Sequence, residues 1–333
     1  MADYQHHHAS HCESGVMSNL LGHYGLPMSE AMAFGLSSAL SFAYLPFIKI
    51  SGLPLIAYRM PPKAIIKGLQ KPLGLKMRFE TFRSPEKGAE RLNALLAQGK
   101  LVGLQTSVYW LPYFPDDLRF HFNAHNLLTF GREGDDYLIS DPVVETVVRC
   151  PAPDLQKARF AKGVLAPKGL IYYPEHVPDP ASLAPRWREI ITAAIRKTTR
   201  IMLYTPLPII GTRGIHRLAK ALRRLDTKDE RQARLFIGHI VRMQEEIGTG
   251  GAGFRFLYAA FLQEATRLSG IEALGTLAGE LLDIGDSWRE FALVAARMVR
   301  GREPLATERL AALLDQLAER ERAFFLRLKQ AIA

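Results

Sequence analysis

HASHCESGVMSNLLGHYG, residues 8–25, is the stretch from which the fold is read. After Cys12 the apolar side chains fall at Val16, Leu20 and Tyr24, with Met17 and Leu21 beside them. That is helical spacing, and Gly25 stands where a helix C-terminus favours glycine. Cys12 is therefore expected at, or just before, a helix N-terminus. There the unpartnered backbone N–H groups and the helix dipole favour a thiolate over a thiol. A thiol so placed is a candidate nucleophile. A free cysteine is as often a small buried hydrophobe, and this stretch alone leaves both readings open.

The chain has 333 residues, 48% of them hydrophobic, which predicts a large core and two domains. Two cysteines, Cys12 and Cys150, are too few for a disulfide framework or a thiolate zinc site. Such usage suits a reducing cytoplasm, and the first residues lack the pattern of a secretory signal. Charges and prolines interrupt every apolar run, so no membrane span is expected. His6, His7, His8 and His11 lack a carboxylate or second thiol to complete a metal set, and no metal is expected. The formal charge is +10, and between Arg186 and Arg224 ten Lys or Arg face one acid, Glu189. Such a strip attracts an acidic partner: nucleic acid, an anionic membrane surface or an acidic protein. A solvated helix face is the plain alternative.

Ser29 reads as the cap of a second helix. Prolines 46, 54, 61 and 62 predict loops and short extended pieces after it. Lys87 to Gln98 is an amphipathic helix. The period then changes to that of strands, at Leu101 to Trp110, His125 to Phe130, Tyr137 to Ile139, Val143 to Val148 and Gly169 to Tyr173. Helices followed by an antiparallel strand series predict an α+β domain over residues 1–178. Pro178 to Pro185 reads as a linker. Residues 185–333 are expected to be an all-α domain, with helices at Leu222 to Ile247, Phe254 to Leu268, Ile271 to Leu282, Ser287 to Val299 and Thr307 to Ile332.

A thiolate nucleophile needs a base and a group that orients the base. His125 opens an apolar strand, and Asp141 follows sixteen residues later at the end of the next. In an antiparallel hairpin those two ends are neighbours, so Asp141 can fix the His125 imidazole. Cysteine on an N-terminal helix, then His and Asp on later strands, is the order of papain-like cysteine enzymes. Core histidine and simple turn remain the plain readings of His125 and Asp141-Pro142.

The residues also carry a resemblance. His-Cys-Glu-Ser with its helix, Ser29-Glu30, Phe34-Gly35-Leu36, Tyr109-Trp-Leu-Pro-Tyr113, His121-Phe-Asn-Ala-His125-Asn126 and Asp141-Pro142 resemble the butirosin biosynthesis protein H N-terminal family. Residues 246–265, EIGTGGAGFRFLYAAFLQEA, resemble the helical domain commonly fused to it. The resemblance implies a C39-like, papain-like fold and transfer of an acyl group from an acyl carrier protein to an amine. Two positions depart from the pattern. The place of the usual oxyanion-hole glutamine, six residues before the cysteine, is His6. Ser107 replaces an aspartate ahead of the aromatic segment.

The backbone N–H of Cys12 is therefore the first oxyanion donor expected, with His8, His11, Asn126 and Tyr109 as side-chain candidates for oxyanion or substrate. Gly248 to Gly253 matches G-x-G-x-x-G formally, but a helix rather than a strand precedes it, which rules out a Rossmann fingerprint. A glycine-rich turn that opens a helix can hold a phosphate on its N–H groups. Gly250, Gly251 and Arg255 are thus candidates for the phosphate of a pantetheine arm, a tight packing turn being the plain reading.

Three functions follow. The first is a cytoplasmic N-acyltransferase with a Cys12, His125, Asp141 triad, in specialised-metabolite or lipid biosynthesis. Its donor is a 4'-phosphopantetheine thioester on an acidic acyl carrier protein, or CoA, and its acceptor a small-molecule amine. It needs no bound cofactor, and a homodimer is left open. The second is a C39-like cysteine peptidase or amidase. The third is a non-catalytic binding module. A nucleic-acid partner is not expected, since the basic strip lacks interleaved aromatics and any known motif.

Overall fold

The computed structural model describes residues 4–50, 52–225 and 227–333. The chain divides into two compact units, and they are not contiguous in sequence. The first takes residues up to Ala33 and Ile65–Pro185; the second takes Phe34–Ala64 and Arg186–Ala333. Residues 34–64, expected within the first domain, thus belong with the helical part.

In chain order the elements of the N-terminal half are α1 (Cys12–His23), α2 (Glu30–Leu36), β1 (Leu40–Ile50), β2 (Leu53–Arg59), α3 (Ala64–Leu73), β3 (Lys76–Glu80), α4 (Pro85–Ala97), β4 (Val102–Thr106), β5 (His125–Glu133), β6 (Asp136–Ser140), β7 (Val148–Pro151), α5 (Ala152–Arg159) and β8 (Ile171–His176). Six of these strands form one antiparallel sheet in the order β3-β8-β4-β5-β6-β7. One face carries Val102, Leu104, Leu127, Ile139 and Ile171 against Leu92 and Leu95 of α4 and Leu155 and Ala158 of α5. Helix α1 packs on β5 and buries Val16, Met17, Leu20 and Leu21 completely. Burying four such side chains contributes about 8 kcal/mol at the usual value per apolar residue. Val143 to Val147, expected as strand, is a turn, and the strand begins at Val148.

The rest comprises α6 (Pro180–Leu183), α7 (Trp187–Tyr204), α8 (Gly211–Arg223), α9 (Glu230–Val241), α10 (Arg255–Ser269), α11 (Ala273–Val299) and α12 (Thr307–Ala331). Two helices expected at 271–299 are one, α11, because no proline or cap interrupts the run. The helix expected at Leu222 to Ile247 instead divides into the end of α8 and α9; Asp226, within it, lies outside the described residues. Strands β1 and β2 form a separate antiparallel pair, where the prolines predicted only loops and short pieces. In this ribbon β2 pairs with β1 on one edge, and its other edge tolerates Pro54; Pro46 falls in an irregularity of β1 between Leu45 and Lys49. Phe42 of β1 stacks on Trp288 of α11, and Tyr58 of β2 meets both rings edge-on. Beneath them the fully buried Arg255 and Glu321 pair through two bonds of 2.7 and 3.0 Å, with Trp288 Nε1 donating to the same carboxylate.

Candidate functional site

Cys12 is the first residue of α1, as the spacing predicts, and His11 is its N-cap. The ring Nδ1 of His11 accepts from the Ser14 backbone N–H. Glu30 organises the approach to the helix. Its carboxylate accepts from the backbone N–H groups of Ser10 and His11, at 2.9 and 2.7 Å, and from Ser14 Oγ. Burial raises its pKa against the pull of those donors. Next to Cys12, the buried Glu13 carboxylate accepts from the first N–H groups of α3, Ile65 and Ile66. These satisfy helix-end donors that would otherwise be orphaned.

His125 opens β5, opposite Thr106 of β4. Its Nε2 lies 2.6 Å from Asp141 Oδ2. A carboxylate only accepts, so Nε2 carries the hydrogen, and Nδ1 is the nitrogen left for Cys12, with which the imidazole interacts. A bulge in β5 decides this geometry. From Glu133↔Asp136 to Gly131↔Leu138 the register would carry Asp141 opposite Leu128, on the wrong face. One extra residue, Phe130, shifts the pairing to Thr129↔Ile139 and Leu128↔Ser140. Continued by one position, that register sets Asp141 opposite Leu127, on the face of His125.

All three groups are buried: Cys12 is 7% exposed, His125 4% and Asp141 0%. Burial alone depresses the His125 pKa, but the Asp141 carboxylate and Cys12 outweigh it and bring it up to about 10. The imidazole is thus held as the cation. Asp141 is itself fixed by Tyr113, whose hydroxyl donates to Oδ2 at 2.8 Å, and by the Val143 N–H at Oδ1. Burial first, then the Asp141 charge, keeps Tyr113 protonated far above its usual range. Gly15 lets the pieces meet: a Cβ there would stand 2.6 Å from both Ala9 Cβ and Pro142 Cβ.

The side-chain candidates for the oxyanion separate. Asn126 is buried, and its Nδ2 donates to Ala124 O while its Oδ1 accepts from Tyr172. Burial, with Glu13 adding to it, holds the Tyr172 hydroxyl protonated well above its usual range. His11 serves as the cap already described. His8 is exposed and interacts with Glu30. Tyr109 lies on an outer cleft of about 390 Å³ with Trp110, Arg119 and Lys157, its ring stacked on His121 at 4.0 Å. His6, in the place of the usual glutamine, holds Ser140 Oγ and the Val144 carbonyl with its two ring nitrogens. It ties the N-terminal segment down and has no nitrogen left for an oxyanion.

The phosphate candidates are corrected. Arg255 is fully buried, and its guanidinium is taken by Glu321 and the Gly253 carbonyl. In the turn before it, the Gly251 N–H donates to Thr249 Oγ1 and the Ala252 N–H to the Glu245 carboxylate. Protein groups thus already take the Gly251 N–H and the Arg255 guanidinium that were expected to meet a phosphate. Sequence reasoning missed Tyr113, Glu30 and Gly15 as site residues. Their only signal was membership of the quoted motifs or neighbourhood to Cys12. Among the described residues, no group of three metal-ligating side chains converges.

A cysteine at a helix N-terminus beside a strand-borne His–Asp pair is the side-chain order that papain-like cysteine enzymes share. Residues 11–142 match the family described as Butirosin biosynthesis protein H, N-terminal. Residues 153–328, more than half of the chain, match the family described as a domain of unknown function, DUF4872. The chain belongs to that family, and the butirosin biosynthesis protein H N-terminal match lies ahead of it in the sequence. Among solved structures, a C39-like peptidase from Bacillus anthracis is similar at 14% identity and a TM-score of 0.38, over 54% of this chain and 98% of its own. No curated protein matches the sequence. Among the described residues, no helix is long and apolar enough to cross a membrane.

Proposed function

We propose that the protein is an N-acyltransferase of the cytoplasm. It moves an acyl group from a 4'-phosphopantetheine thioester, on an acidic acyl carrier protein or on CoA, to a small-molecule amine in specialised-metabolite or lipid biosynthesis. The observation that carries the reading is the buried line Cys12, His125, Asp141. The Cys12 thiolate attacks the thioester carbonyl, and the tetrahedral oxyanion rests on the Cys12 backbone N–H at the start of α1. Asn126 keeps one amide hydrogen beyond that given to Ala124 O and is the candidate for the second donor. The C–S bond to pantetheine breaks, and the leaving thiolate takes the proton of the His125 imidazolium. The amine then attacks the acyl-enzyme, neutral His125 accepts its proton, and the Cys12 thiolate departs to leave an amide.

Burial of all three groups supports transfer, because a site closed to bulk water slows hydrolysis of the acyl-enzyme. An acidic donor agrees with the basic strip. On α8 and its C-cap, Arg213, Arg217, Lys220 and Arg224 fall within an arc of about 60° at helical geometry, while Arg223 turns away to Glu308 and Asp315.

Intact-mass spectrometry after exposure to loaded acyl carriers tests the proposal. An acyl adduct on Cys12, absent in Cys12→Ala and converted to amide by added amine, is the expected result. Free acid as the only product, with or without amine, would instead make the protein a cysteine hydrolase. Undiminished product formation by Cys12→Ala would remove the enzyme reading and leave a binding module.

A further inference from the structure

The tip of the β1–β2 ribbon in the second unit is apolar where a surface strand is ordinarily polar. Pairing runs from Ala43↔Ala57 to Leu45↔Leu55 and resumes at Lys49↔Pro54, so Pro46, Phe47 and Ile48 have no partner on β2. Phe47 is 71% exposed and Ile48 42%. Exposed ribbon edges are normally blunted with charge; here they carry the largest aliphatic and aromatic groups.

The elements on either side extend the patch. The α7–α8 connection runs antiparallel to β1, through the Tyr44 N–H bond to Ile209 O and the Ala43↔Ile210 bridge. Carried on, this register brings Leu207, 52% exposed, opposite Pro46. On the β2 side, His239 of α9 bonds the Pro54 carbonyl at 2.9 Å. There an open groove of about 690 Å³ runs along one face of α9, over Leu53, Leu235, Gly238 and Val299. Arg231 and Arg242 stand at its lining, about three turns apart by helical geometry. The one acid in that lining, Glu230, is paired with Arg234.

We propose that this end of the second unit is a peripheral docking surface for an anionic phospholipid bilayer. Phe47, Ile48 and Leu207 enter the interface; Lys49, Arg231 and Arg242 meet the headgroup phosphates; and the α9 groove accepts part of an acyl chain. The pattern of a protruding apolar tip ringed by cations is that of interfacial binding. A second copy of the chain would set like charges against each other, and duplex nucleic acid offers nothing apolar for the tip. This proposal is independent of the acyltransferase reading.

Co-sedimentation of the full chain with vesicles tests it. Binding is expected to vesicles of phosphatidylglycerol mixed with phosphatidylcholine, and not to phosphatidylcholine alone. Each Arg or Lys removed from the ring, as in Arg231→Ala, lowers the partition coefficient about fivefold. Phe47→Ser with Ile48→Ser lowers it about tenfold or more with no change in melting temperature, since both side chains are exposed. Absence of binding to anionic vesicles overturns the proposal. So does binding that is indifferent to Phe47→Ser and Ile48→Ser, which would be charge attraction alone. Tip-dependent capture of a soluble acidic carrier protein, with no vesicle binding, would make the surface a protein interface and refute the lipid reading.

Discussion

Replacing Asp141 by Asn changes one oxygen for a nitrogen and removes the charge on which the site depends. Asp141 Oδ2 accepts from both His125 Nε2 and Tyr113 Oη, and Oδ1 accepts from the Val143 N–H. An asparagine that keeps its oxygen toward His125 and Tyr113 sets its own N–H₂ against the Val143 N–H. Turned over, it presents donors to His125. In either pose one buried bond is lost, and the imidazolium loses its counter-charge. The rise of the His125 pKa from 6.5 to about 10 corresponds to about 5 kcal/mol in favour of the imidazolium, divided between Asp141 and Cys12. If Asp141 supplies 3 to 4 kcal/mol of it, reactions needing the thiolate–imidazolium pair slow by about 100- to 1,000-fold. Iodoacetamide alkylation read by mass spectrometry measures this without any substrate. Cys150 is an internal control, because burial, and then Asp154 and Asp136, push its thiol up to about 12. In the wild type Cys12 is alkylated at pH 6.5 and Cys150 is not. In Asp141→Asn the Cys12 rate at pH 6.5 falls by about 100-fold, and the two proteins converge above pH 10. Equal rates at every pH, with the fold intact by near-ultraviolet circular dichroism, would refute the reasoning.

The imidazolium also makes stability depend on pH. His125 titrates near 6.5 in the unfolded chain and near 10 in the fold. The stability it lends is therefore complete below about pH 6.5 and lost as pH rises through 10, so the gap in urea midpoint between wild type and His125→Gln narrows across that window. Tyr113→Phe removes one of two donors to Asp141 Oδ2 and lowers turnover about tenfold without changing KM, as steady-state kinetics would show. Gly15→Ala drives a methyl against Ala9 and Pro142; it lowers Cys12 alkylation at pH 6.5 through the displaced Asp141 segment and costs about 2 kcal/mol in chemical denaturation. Glu321→Ala strands the buried Arg255 and Trp288 Nε1 and destabilises by about 4 kcal/mol, whereas Arg255→Met with Glu321→Leu costs less than the single change.

Sequence alone placed Cys12 at the start of α1. The apolar period after Cys12 requires a helix, and a helix must begin near Cys12, so the thiol's position follows from local spacing. It also marked His125 and Asp141 as strand ends, and the division between strand-rich and helical halves, because each rests on periodicity within a few residues. It misjudged segments whose structure depends on distant partners. Residues 40–59 form strands despite their prolines because the ribbon stacks on Trp288. In the glycine turn at 248–253 the Gly251 and Ala252 N–H groups go to Thr249 and Glu245. Only the tertiary structure decided which face of the sheet Asp141 occupies. The side-chain period of a strand is two, so a single bulged residue, Phe130, turns that carboxylate toward His125. Hydrophobic pattern identifies which residues form strands; register between strands is set by pairing and packing across the sheet, which no single stretch contains.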